Sequence, residues 1–112
     1  MIQADQAAAS ARIAADCAEA LPALDRRVGL WLQTHIVPPR PITLSRTTDG
    51  GNSEEFWLVT DHTGTDDASF RVVYDDVARS YGIECSILNE VSLFSGFRAT
   101  LVEAITDIKF VR

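Results

Sequence analysis

Apolar residues recur with two different periods along the chain, and the change falls at Pro38, Pro39 and Pro41. Ahead of the prolines, Ile2, Ala9, Ile13, Cys17 and Ala20 follow one another at spacings of three, four and seven. That places them along one stripe of a helix over about residues 3–20. The stripe is narrow and made mostly of small side chains. Pro22 suits the first turn of a second helix, where its missing N–H costs nothing. Leu24, Val28, Trp31, Leu32 and His35 then share a face, which predicts a helix over 22–36 that stops at the Pro38–Pro39 pair.

From Ile42 to Phe94 the dominant period is two. Turn-forming residues divide this stretch at Asp49-Gly50-Gly51-Asn52, at Thr63-Gly64-Thr65-Asp66, at Asp75-Asp76 with Arg79-Ser80, and at Asn89-Glu90. Strands are predicted over 42–47, 55–61, 69–75, 81–88 and 91–94. Their short connections favour an antiparallel meander, since a parallel crossover needs about a dozen residues. Alternation assigns Ile42, Leu44, Phe56, Leu58, Phe70, Val72, Tyr74, Tyr81, Ile83, Cys85 and Ile87 to the face that packs on helices. Thr43, Ser45, Trp57, Val59, Arg71, Val73, Glu84 and Ser86 fall on the opposite face.

Ser95 reads as an N-cap, and Phe97, Leu101, Ala104, Ile105 and Ile108 follow at helical spacing, which predicts a C-terminal amphipathic helix over 95–109. The expected architecture is a single α+β domain spanning 1–112. Helices fill 1–37, a meander sheet of four to five strands fills 42–94, and the last helix closes the order α-α-β-β-β-β-β-α.

Composition supports a folded chain: 46% of the 112 residues are apolar, enough for one hydrophobic core without disulfide or metal staples. Cys17 and Cys85 are the only cysteines and belong to no CxxC or Cys/His cluster, so they read as buried free thiols. Sixteen acidic residues against ten basic ones give a net charge of −6, the wrong sign for the phosphate backbone of a nucleic acid. No stretch approaches the roughly 20 apolar residues that span a bilayer, and no polybasic lysine tract is present. These features lead to the expectation of a soluble cytoplasmic protein with neither a nucleic-acid nor a membrane partner.

The charge is unevenly placed. Between Asp49 and Asp76 stand Asp49, Glu54, Glu55, Asp61, Asp66, Asp67, Asp75 and Asp76 against the single Arg71. A meander would gather Asp49, Glu54, Glu55, Asp75 and Asp76 at one sheet end and Asp61, Asp66 and Asp67 at the other. Trp57, Val59 and Val73, on the nominally solvent face of central strands, add an apolar patch of the kind found at interface centres.

Candidate chemistry is sparse. Asp61, His62, Asp66 and Asp67 are the one place where a histidine and several carboxylates lie close in sequence, as a ligand site or a general acid/base pair would require. The spacing fails the calcium-loop pattern, because a loop starting at Asp61 has Gly64 at its fourth position and Val72 at its twelfth. Neither a nucleophile elbow nor a phosphate loop is present, and no cofactor or metal is expected.

The resulting expectation is a non-enzymatic acidic interaction domain, adaptor, chaperone-like or immunity-like. It would bind a basic protein partner through Trp57, Val59, Val73, Glu54, Glu55, Asp75 and Asp76. The alternative is a small ligand- or metal-binding domain or enzyme with its site near Asp61–Asp67. A homodimer is also expected, since the small-residue stripe of the first helix and the Trp57 face both lack an obvious cover.

Overall fold

In the computed structural model, residues 5–45, 53–61, 63–64, 68–87 and 91–108 are described. The turn signals at 49–52 and 89–90 lie outside them.

Helix α1 spans Gln6–Ala20, begun by Asp5, whose Oδ1 accepts from the Ala8 N–H at 2.7 Å. Its buried residues are Ala9, Ile13, Cys17 and Ala20, members of the predicted stripe, whose first residue, Ile2, lies outside the described residues. Pro22 sits in a 3-10 turn, Leu21–Ala23, instead of opening the next helix. The helix restarts later because Asp25 offers a side-chain cap: its carboxylate accepts from the Val28 N–H at 2.9 Å, and α2 runs Arg26–His35. Leu32 is buried on its inner face, with Val28 and Trp31 packed beside it.

The strands are β1 Pro41–Leu44, β2 Glu54–Leu58, β3 Thr63–Gly64, β4 Ala68–Asp75, β5 Ser80–Ile87 and β6 Val91–Arg98. All named strand pairs are antiparallel, in the order β1-β2-β4-β5-β6, and β3 pairs with β4 beyond the end of β2. The α+β arrangement and the meander are as the sequence predicts.

The two faces are not sorted as predicted. In β2, Trp57 is opposite Tyr74 and Leu58 is opposite Val73. Trp57 and Val59 therefore join Val72, Tyr74, Tyr81 and Ile83 under the helices. Ile42, Leu44 and Phe56 turn to the other side, with Val73 and Phe94. The face assignment holds for β4 and β5 and is inverted for β1 and β2. Phe56-Trp57-Leu58-Val59 is an unbroken apolar run, so alternation has no polar position by which to choose a side.

The second face is interior as well, because the sheet curls until β1 meets β6. Ser45 pairs with Leu93, and its carbonyl accepts from the Phe94 N–H at 2.9 Å. Across the curl Phe56 stacks on Phe94 with centroids 4.6 Å apart. Gly82 makes room for that ring, since a Cβ on it would stand 2.2 Å from Phe94.

Strand β6 extends to Arg98, so Ser95 and Phe97 belong to a strand and not to the last helix. A register irregularity opposite Gly82 to Glu84 and Gly96 at φ +104 let the strand bend and continue. The helix α3, Leu101–Asp107, is capped by Thr100, whose hydroxyl accepts from the Glu103 N–H at 3.2 Å. Leu101, Ala104, Ile105 and Ile108 are buried against the sheet as their spacing predicts.

Candidate functional site

The residues singled out for partner binding separate into two groups. Trp57, Val59 and Val73 are 3%, 0% and 0% exposed, so they form no surface patch. Helices cover Trp57 and Val59, and the curl covers Val73. This also removes both grounds for a dimer, since the α1 stripe and Trp57 are buried in one core cluster within a single chain.

The acidic residues of the group lie together. With Trp57 opposite Tyr74, continuing the ladder carries Glu55 and Glu54 toward the turn at residues 76–79. Glu55 is exposed and Glu54 half-buried. Asp75 is buried and spends its Oδ1 on the Val77 and Ala78 N–H groups, at 2.9 and 3.2 Å, which fixes the turn. Asp76 accepts from the Trp57 indole N–H at 2.9 Å, so the buried ring anchors a carboxylate at the sheet end.

Of the loop candidates, His62, Asp66 and Asp67 lie outside the described residues. Asp61 pairs with His35, remote in sequence, whose Nδ1 lies 2.5 Å from Asp61 Oδ1. The Asp61 N–H also donates to the His35 carbonyl at 2.9 Å, and Trp31 stacks on the His35 ring at 5.0 Å. These bonds hold the end of α2 against the strand segment after β2. Among the described residues no group of three or more His, Cys, Asp and Glu could hold a metal.

Two further constellations were not legible as sites. On the curled face, Arg71 and Glu84 stand opposite each other on β4 and β5. Arg71 Nε donates to Glu84 Oε1 at 2.9 Å, and Nη2 donates to Oε2. The Glu84 side chain is 0% exposed and that of Arg71 14%. Both read as solvent-facing on a sheet taken to have one wet side. The signal for the pair was their opposite charge at facing register positions.

The second constellation lies between α1 and the start of α3, where Tyr81 donates to Asp16 at 2.7 Å and Arg12 Nε approaches the same carboxylate oxygen at 3.4 Å. An open groove of about 310 Å³ adjoins this trio, with Arg79, in the left-handed conformation at φ 53, also on its lining. Burial, reinforced by the bond to Asp16, pushes the Tyr81 hydroxyl far above the usual tyrosine range. Burial, then the Asp16 charge, pushes the Cys17 thiol up to about 11, and Cys85 is raised by burial and Glu84. Both cysteines are free, and Cys85 is only half-buried where the sequence predicts full burial. A raised thiol pKa keeps them protonated and weakly nucleophilic at neutral pH.

No protein-family model matches the chain, and no curated protein or solved structure is significantly similar to it. Among the described residues no helix is long and apolar enough to cross a membrane.

Proposed function

We propose that this chain is a non-enzymatic acidic interaction domain that binds a basic segment of another protein, in the manner of an adaptor, a chaperone or an immunity protein. The observation that carries the proposal is the position of Arg71. It is the single cation among eight carboxylates between Asp49 and Asp76, and it is committed to Glu84 inside the curl. The bonds of Arg71 go to Glu84, outside that span, and to no carboxylate within it. Glu54, Glu55 and Asp76 sit at one sheet end, and Val77, 49% exposed, adds an apolar contact beside them. Clustered charge of this kind steers a basic partner and fixes its orientation. A cytoplasmic setting fits two free thiols, which reducing compartments preserve.

The test is a titration with an arginine-rich peptide, read at the Trp57 indole N–H resonance, because that group is bonded to Asp76. The peptide is expected to shift the resonance saturably and to bind more weakly as salt rises. Glu55→Lys is expected to weaken binding severalfold, and Glu19→Lys on α1 much less. An indole resonance that does not move, or equal losses from the two reversals, would contradict the proposal.

A further inference from the structure

The polar part of the curled face ends at a groove that is distinct from the acidic sheet end. Past α2 the chain runs back along β2: the Val37 N–H donates to Val59 O at 3.0 Å, and Arg40 O accepts from the Leu58 N–H at 2.9 Å. Gln6 Nε2 donates to the Pro39 carbonyl at 2.7 Å and ties this segment to the first turn of α1. The resulting groove holds about 430 Å³, with Pro38, Pro39 and Leu58 as apolar walls and Arg40, Asp61 and Arg71 as its charged members. That volume is in the range of small-ligand sites, which commonly run to about 300–1,000 Å³.

Arg71 is the informative member. A guanidinium carries five N–H donors in a rigid plane, and Glu84 takes the Nε edge. Nη2 gives one N–H to Glu84, which leaves its second N–H and the two of Nη1 as the outer fork. The fully buried Glu84 carboxylate fixes the guanidinium's orientation before any ligand arrives, so little side-chain entropy remains to be lost on binding. Apolar side chains of similar size would fill the same space without the desolvation cost of an ion pair. An arginine held in one orientation on the lining of a groove offers a role that packing alone does not supply. Asp61 is engaged by His35, and Arg40 is exposed with no side-chain partner among the described residues. Arg71 and Glu84 cancel, so the remaining charged members of the lining are Arg40 and the His35-bonded Asp61.

We propose that this groove binds a small carboxylate with an apolar body. The carboxylate sits on the outer fork of Arg71, Arg40 stands beside it, and the apolar body lies against Pro38, Pro39 and Leu58. The site depends on neither a basic partner nor the acidic sheet end.

Sodium hexanoate serves as the probe and hexanol as its uncharged control, both read by NMR at the Arg71 Nε–H and the Leu58 methyls. Hexanoate is expected to shift both sets of signals saturably, with a dissociation constant of about 1 mM or below, and hexanol is not. Arg71→Lys keeps the charge and removes the fork, and is expected to weaken binding by about tenfold or more. Arg40→Gln, a surface change that leaves the core untouched, is expected to weaken it severalfold. Glu55→Lys is expected to leave hexanoate binding unchanged, which separates this site from the proposed protein contact. Equal shifts from hexanol, no saturable shift from hexanoate, or unchanged binding in Arg40→Gln would each overturn the proposal.

Discussion

The two faces of the sheet are both buried, but by different means. The face under the helices is apolar throughout its core, from Trp57 and Tyr74 to Tyr81 and Ile83, and amphipathic helices cover it. The other face is covered by the sheet itself. It is graded, from Phe56, Val73 and Phe94 at one end through the Arg71–Glu84 pair to Ser69 and Ser86, which are also buried. The face closed by curling buries an ion pair inside it, whereas the helix-covered face keeps its polar contacts, such as Tyr81 with Asp16, at the margin of α1. The chain places its apolar core and its candidate recognition groups on opposite sides of one sheet.

The largest effects should come from truncating the two interiors. Phe56→Ala removes one ring of the stacked pair across the curl and is expected to cost about 3–5 kcal/mol, against about 2–5 kcal/mol for Leu101→Ala under the helices. Denaturant unfolding measures both. A loss below about 1 kcal/mol for Phe56→Ala would mean that the curled face is not a second core, because surface substitutions fall in that range.

The comparison sharpens at the buried ion pair. Glu84→Ala leaves a largely buried guanidinium without its carboxylate and is expected to cost about 3–5 kcal/mol. The double change Arg71→Met with Glu84→Leu is expected to be near neutral or stabilising, since it removes both desolvation costs at once. Two single losses that simply add in the double variant would show that the groups do not meet as a pair.

A smaller effect distinguishes the helix-covered face by pH. Folding raises the Cys17 thiol from 9.0 to about 11 and raises Tyr81 further. A group whose proton is held more tightly in the folded state contributes stability that is complete below its unfolded pKa and is lost as pH climbs toward the folded value. Stability should therefore be flat below pH about 9 and fall above it, with about 2–3 kcal/mol of the fall carried by Cys17 as pH passes 11. Thermal unfolding of the native chain and of Cys17→Ala across this window checks the sign and the share. An unchanged alkaline slope in the variant would remove Cys17 from the account.

What the sequence disclosed follows the same division. The stripes of α1 and α3 and the alternation of β4 and β5 carry clear periods, and the helix-covered core could be read from them. The curled face could not, because closing it depends on long-range contacts: the Ser45 carbonyl reaching Phe94, and Gly82 admitting a ring from the next strand. The misplaced start of α3 had a local remedy. Thr100 with Glu103 three residues later is a capping pattern, and it lies nearer the first buried helical residue than Ser95 does. For the candidate site, the acidic sheet end was legible because register follows from a meander. The pairing of Asp61 with His35 was not, since nothing in the spacing brings the end of α2 beside the strand segment after β2.

Arg71 is held inside the curl by Glu84, which fixes its guanidinium where it lines the groove. Hydrogen exchange of the arginine side-chain Nε–H groups near neutral pH measures this directly. The Arg71 signal should persist, protected by its bond to the fully buried Glu84, while the signals of exposed Arg26 and Arg27 are lost to exchange with water. An Arg71 Nε–H that exchanges as fast as those two would contradict it.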